Sequence, residues 1–259
     1  MADQAVRAHQ NLVDFTRLTA RLQPAAALVD TDDIVASIGP TDSPAARTAI
    51  RTDSSAPAAA IADHIEAAFS RHGATGVVFA RVGADDDLTE VLTARGLREW
   101  AQTPEMICEG ALPSLEPPTG VTVRLASTPA DVAAYAEIAG RAFTHLAIDA
   151  DITRTTIDNA EIMLGDDCVI ALADLDGTPV AGALVVLFDG GRIGYVAWVA
   201  CLDEARGRGL GDVVTRRVTN EAFARGADLV TLEASQFGEH TYARMGYREI
   251  YRYRILIRL

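Results

Sequence analysis

The sequence has no lysine: its 23 basic side chains are all arginine. That absence excludes a Schiff base to pyridoxal phosphate or to a carbonyl substrate, a Walker-type phosphate loop, and any lysine nucleophile or base. Positive charge is also in short supply. The formal net charge of −13 speaks against nucleic acid as a partner, which needs clustered cations facing phosphates, and against an anionic membrane surface. Cysteine is sparse, with Cys108, Cys168 and Cys201 scattered through apolar runs and none in a C-x-x-C pair. That pattern reads as reduced cytoplasmic cysteine and offers no disulfide framework or metal site. No apolar run approaches the ~20 residues that cross a bilayer. Met1–Asp14 is polar and acidic, without a signal-peptide core. A cytoplasmic protein with no metal is expected.

What is present is an ordinary globular composition. About half of the 259 residues are apolar, and a chain of this size buries roughly 70–75% of its unfolded surface. Leu112-Pro113-Ser114-Leu115-Glu116-Pro117-Pro118-Thr119-Gly120 is a stretch that neither helix nor strand can cross, because proline lacks the N–H both need. It predicts a lobe over 1–112, a linker over 113–120 and a second lobe over 121–259.

The second lobe has a clear pattern. A strand over Val121–Leu125 is followed by Thr128-Pro129, an N-cap and a first-turn proline, with Asp131 at the positive helix end. Cys168–Ala173, Val180–Phe188 and Ile193–Leu202 read as an antiparallel meander, turned at Asp176-Gly177 and Asp189-Gly190-Gly191. The third of these is apolar on both faces, which places it inside a covered sheet. A helix then runs from Leu210 to Arg225-Gly226. Leu229–Ser235 is a further strand and Glu239–Met245 a short helix stopped by Gly246. In Glu249–Leu259 tyrosines and isoleucines alternate with arginines, the mark of a half-buried strand.

Between the third meander strand and the long helix lies Arg206-Gly207-Arg208-Gly209-Leu210-Gly211. Alternate glycines take positive φ freely and let another molecule approach the backbone. The unpaired N–H groups of the first helical turn, with the helix dipole behind them, suit a phosphate or pyrophosphate. A tight strand–helix turn with incidental glycines fits the same residues. The spacing G-x-G-x-G differs from the G-x-G-x-x-G of dinucleotide-binding folds and disfavours a nicotinamide-dependent reductase.

The run Val199-Ala200-Cys201-Leu202-Asp203-Glu204-Ala205-Arg206-Gly207-Arg208-Gly209-Leu210-Gly211 resembles motif A of the GNAT superfamily of N-acetyltransferases. Downstream, Leu232-Glu233-Ala234-Ser235 and Tyr242-Ala243-Arg244-Met245-Gly246-Tyr247 resemble that family's fifth strand and its Y-x-x-x-G-[FY] helix end. The likeness covers about 120–259 and implies a mixed α/β GNAT fold with acetyl-CoA as cosubstrate. It implies pyrophosphate contacts along Arg206–Gly211 and at Asp212, and pantetheine contacts to the backbone at Val199, Ala200 and Cys201. The Val199 N–H would stabilise the oxyanion, and Tyr242 would protonate the departing thiolate. Cys201 is expected to serve through its backbone and not as a nucleophile. Ser235 stands where many members carry asparagine, so its side chain has no inherited role. A base is harder to read. Glu233 lies on the strand lining the cleft and is the first choice; His145, Asp149 and Asp151 fall where acceptor-binding helices lie.

The first lobe reads as a degenerate copy of the second. Ala67–Ala74 parallels Glu221–Ala227, Gly96-Leu97-Arg98-Glu99 parallels Gly246-Tyr247-Arg248-Glu249, and Gly76–Ala80 reads as the strand between. Asp53-Ser54-Ser55-Ala56-Pro57 stands in place of the glycine loop, and Leu92 in place of Tyr242. No coenzyme A is expected there. The reading is thus an acetyl-CoA-dependent N-acetyltransferase acting on a small amine or a peptide N-terminus, with a homodimer admitted. The alternative is a non-catalytic coenzyme A-binding or regulatory module.

Overall fold

The computed structural model describes residues 2–40, 46–52, 55–146, 149–236 and 238–258. Its contacts divide the chain into two units: unit 1 is Met1–Glu105 with Glu249–Leu259, and unit 2 is Met106–Arg248.

Unit 1 contains α1 (Ala2–Leu22), β1 (Ala27–Asp30), β2 (Ile34–Ile38), β3 (Arg47–Arg51), α2 (Ala58–Arg71), β4 (Val77–Arg81), α3 (Asp86–Ala94) and β5 (Arg98–Cys108). It is completed from the far end of the sequence by β11 (Arg248–Ile257). Its strands run β1-β2-β3-β4-β11-β5. The parallel pair β3 and β4 is joined through α2, and β11 lies antiparallel to β4 with Tyr253 opposite Arg81 and Ile257 opposite Val77. Ile61, Ile65 and Phe69 of α2 and Leu88 and Leu92 of α3 bury their side chains with Ile34, Ala49 and Val78 of the sheet.

The expected boundary differs from this division at both ends. Residues 113–120 form neither helix nor strand, as the prolines require, yet they lie inside unit 2. The stretch is pinned at its start. Asn220 accepts from the Leu112 N–H at 2.7 Å and donates to its carbonyl at 2.9 Å, and Arg216 donates to the Pro113 carbonyl at 3.0 Å. The alternation in Glu249–Leu259 correctly marks a half-buried strand, but five ladder pairs with β4 assign it to unit 1.

Unit 1 also holds a buried polar network. His9 Nε2 lies 2.8 Å from the Arg51 carbonyl and Nδ1 2.9 Å from the Tyr253 hydroxyl, which is 3.0 Å from that of Tyr251. A carbonyl can only accept, so Nε2 carries the proton and Nδ1 accepts from Tyr253. Arg51, 1% exposed, donates to Asp87 at 2.9 Å and to the Ala56 carbonyl at 2.8 Å, and stands 3.6 Å from Asp85. Asp85 accepts from Arg81 through both the backbone N–H (2.9 Å) and the guanidinium (2.8 and 3.0 Å).

Burial, with Arg81 nearby, lowers the His9 pKa to about 4. The folded state therefore holds His9 neutral while the unfolded chain takes up a proton below about 6.5, so stability falls as pH drops from about 6.5 to 4. By pH 4.5 the loss from this residue should reach about 2–3 kcal/mol. Urea titrations at pH 7 and 4.5 should show a larger stability difference for the wild type than for His9→Gln, and equal differences would refute the assignment.

Unit 2 contains β6 (Val121–Leu125), α4 (Pro129–Ala142), α5 (Ala150–Ile157), α6 (Ala160–Met163), β7 (Cys168–Leu175), β8 (Thr178–Phe188), β9 (Ile193–Cys201), α7 (Leu210–Ala224), β10 (Leu229–Glu233) and α8 (Glu239–Met245). Its strands run β10-β9-β8-β7-β6. The meander is the expected one. Asp176 and Gly177 both take positive φ (50° and 82°), as a two-residue hairpin turn requires. Thr128 caps α4 in a reciprocal box with Asp131. A Cβ on Gly194 would meet the Ala222 Cβ at 3.2 Å, so glycine lets α7 lie close on β9.

The two chain segments β3-α2-β4-α3-β5 and β9-α7-β10-α8-β11 repeat one order around a parallel strand pair. Each second helix ends on a glycine of positive φ, Gly96 (93°) and Gly246 (120°), which matches the internal parallel read from the sequence. Among the described residues no helix is long and apolar enough to cross a membrane.

Candidate active site

The site is built on the splay of two parallel strands. β9 and β10 pair at Leu229↔Ile193, Val230↔Gly194 and Thr231↔Tyr195, and the pairing ends there. β9 continues to Cys201 and β10 to Glu233, so their C-terminal halves open a cleft with polar backbone on its walls.

The glycine loop closes one end of that cleft. Gly207 and Gly209 take positive φ (76° and 75°), and a Cβ at either would meet nothing within 4 Å. The first bond into α7 runs from the Val213 N–H to the Gly209 carbonyl at 3.2 Å. The N–H groups from Gly207 to Asp212 find no acceptor among the described residues. Gly211 places its Cα edge against Val199, whose methyl would lie 3.8 Å from an added Cβ. The start of α7 is therefore held beside the open half of β9.

Local electrostatics favour an anion. The carboxylates of this region are each paired: Asp203 with Arg206 at 3.0 Å, Glu204 with Arg141 at 2.8 Å, and Asp212 with Arg216. Arg208 is exposed and makes no hydrogen bond or ion pair with any described residue. An unengaged guanidinium, six N–H groups without an acceptor among the described residues and a helix N-terminus suit a pyrophosphate.

Tyr242 follows β10 in the chain. It lies on α8, half-buried, with its ring 6.1 Å from that of Tyr247 in an edge-on arrangement. A Cβ on Gly238 would sit 2.6 Å from the Tyr242 ring, so glycine at the head of α8 lets the phenol lie flat there. Burial pushes the Tyr242 hydroxyl up to about 12, so it stays protonated at physiological pH. Its hydroxyl has no hydrogen-bond partner among the described residues. Tyr247, by contrast, shares a 2.7 Å hydrogen bond with Thr219.

The remaining sequence-predicted residues fall as follows. Glu233 ends β10 and is half-buried, and Ser235 is exposed, its carbonyl receiving the N–H groups of Gly238 and Glu239. Ala200 is buried in β9, and Cys201 beside it is a free thiol whose pKa burial raises. A thiol so held is a poor nucleophile. Asp149 caps α5, accepting from Asp151 and Ile152, while Asp151 pairs with Arg154. Both have structural work. The side chain of His145 lies outside the described residues, as do Asp53 and Ser54 of the first-lobe loop.

Sequence reasoning missed one feature. On β9, Ala197 pairs with Leu184 and Ala200 with Gly182, so Ala183 alone faces two residues, Trp198 and Val199. Trp198 has φ of +49°. The first position of such a bulge is usually glycine, and no glycine stands there to give the signal.

Residues 133–247 match the model of the Acetyltransferase (GNAT) family. The structure is similar to that of a GCN5-related N-acetyltransferase from Kribbella flavida at 24% identity and a TM-score of 0.73, covering 97% of this chain and 95% of that one. It is similar to a GCN5-related N-acetyltransferase from Sphaerobacter thermophilus at 17% identity and a TM-score of 0.64, covering 88% and 81%. A tandem GNAT protein from the clavulanic acid biosynthesis pathway matches at 14% identity and a TM-score of 0.64, covering 97% and 94%. At these identities the likeness is one of fold. No curated protein matches the sequence.

Proposed function

From the match of residues 133–247 to the Acetyltransferase (GNAT) family model, we propose that the chain is an acetyl-CoA-dependent N-acetyltransferase with its one active site in unit 2. The observation that carries this is the row of N–H groups from Gly207 to Asp212 opening beside the splayed half of β9. These groups and Arg208 hold the pyrophosphate, and the open backbone of β9 at Val199–Cys201 holds the pantetheine arm. The Val199 N–H faces the thioester carbonyl and stabilises its developing negative charge. Bound acetyl-CoA supplies the activated acyl group.

The acceptor is a small amine or a peptide N-terminus. Glu233, directly or through water, takes a proton from the ammonium. The freed amine forms the C–N bond as the C–S bond breaks. Tyr242 gives its proton to the sulfur; the nitrogen sheds its second proton as the amide forms, which restores Tyr242 through solvent, and Glu233 releases its own to solvent. In unit 1 the equivalent helix starts at Pro57, which has no N–H to offer, and Leu92 in the place of Tyr242 is fully buried. One coenzyme A per chain follows.

Isothermal titration should show acetyl-CoA binding at a stoichiometry of one. A thiol-release assay across a panel of amines should show turnover, with Tyr242→Phe lowering kcat by about 100-fold at unchanged acetyl-CoA affinity. Wild-type protein that binds but turns over with no amine would favour the binding-module reading, and wild-type protein that does not bind would overturn both.

A further inference from the structure

We infer that Tyr135 is a positioning residue for this reaction, acting through the backbone of Trp198. The inference rests on the acetyltransferase reading and extends it to a side chain outside the cleft. Tyr135 lies on α4 and is fully buried, and its hydroxyl donates to the Trp198 carbonyl at 2.7 Å. Trp198 is the first residue of the β9 bulge and holds φ at +49°, a conformation a bulky side chain rarely adopts. Such a backbone persists only where its surroundings over-determine it.

The surroundings are built for that purpose. Gly182, directly opposite Ala200 on β8, presents no side chain, and a Cβ there would meet the Tyr135 ring at 2.6 Å. The missing Cβ admits the ring, and the ring delivers the hydroxyl to the bulge. The Trp198 carbonyl and the Val199 N–H belong to one peptide plane. Fixing the carbonyl toward α4 therefore fixes the N–H in the opposite direction. Tyr135 sets where the amide assigned to the thioester carbonyl points. Beyond burial, the Tyr242 phenol adds to the cost of ionising Tyr135, so the two side chains lie within electrostatic reach of one another.

Tyr135→Phe keeps the ring and removes the hydrogen bond. A crystal structure of this variant should show Trp198 out of the left-handed region or the β8–β9 register shifted, and unchanged geometry would overturn the proposal whether or not the protein is an acetyltransferase. Kinetically, kcat for thiol release should fall by about tenfold or more while the Kd for free coenzyme A stays within about twofold, because free coenzyme A has no acyl carbonyl for the amide to meet. An unchanged kcat, or equal losses in kcat and coenzyme A affinity, would also overturn it. Gly182→Ala, which displaces the ring by a different route, should give the same split. Wild-type protein that binds no acetyl-CoA would instead overturn the proposed function, leaving the crystallographic comparison to decide the role of Tyr135 in the bulge.

Discussion

Gly209→Val protein should give a flat titration with coenzyme A, its affinity reduced about 100-fold or more against wild type. Two effects combine. Valine in the left-handed region costs about 1–2 kcal/mol, and Gly209 holds φ at +75° as the residue that starts α7. The backbone relaxes away from that angle and turns neighbouring N–H groups off the phosphate. Charge-assisted hydrogen bonds are worth about 1.5–3 kcal/mol each, so losing one or two accounts for the expected factor. The fold should survive, because a Cβ at this position meets nothing within 4 Å. Circular dichroism and a thermal melt close to wild type, together with lost binding, would support the assignment. Retained affinity would place the pyrophosphate elsewhere.

The second large effect belongs to unit 1. Arg51→Met should destabilise the protein by about 3 kcal/mol, read as a lower urea midpoint. Arg51 is 1% exposed and stands 3.6 Å from Asp85, which is equally buried, and 2.9 Å from Asp87. Methionine fills much of the volume but leaves the buried Asp85 carboxylate with one fewer cation, and breaking a buried pair costs about 3–5 kcal/mol. Arg81 retains its bonds to Asp85, which holds the loss toward the lower figure. Arg95→Met is the contrast. Arg95 pairs with Asp63 and Glu66 on the surface, where such pairs are worth about 0–1 kcal/mol. Equal midpoints for the two variants would show that the buried arginine does nothing a surface one does not.

The legible parts of this molecule were those encoded within a few residues. Thr128, Pro129 and Asp131 cap α4 through bonds spanning three positions. Asp176-Gly177 turns a hairpin because both residues take positive φ. The glycine loop announced itself because only glycine enters that conformation freely. What escaped notice depends on partners distant in the chain. The alternation of Tyr251, Tyr253 and Ile255 says that a strand has one buried face, but not that β4 will be its neighbour. His9 carried no spacing to another polar residue because Tyr253 is 244 positions away. The bulge in β9 was invisible because its left-handed residue is tryptophan, held there by a hydroxyl from another helix. Propensity argues against that backbone angle, and tertiary packing overrules it.

The assignment of β11 to unit 1 has a consequence for biosynthesis. A ribosome releases the residues of α1 through β4 long before it reaches Glu249–Leu259. Until those last residues emerge, the edge of β4 that Tyr253–Ile257 will cover presents unpaired N–H and C=O groups, the kind of edge on which chains aggregate. Unit 2, whose residues are contiguous, can condense first. Unit 1 begins synthesis earlier and finishes folding later. Stalled or prematurely terminated chains should therefore be protease-sensitive in the N-terminal part of the sequence, even though every missing residue lies at the other end.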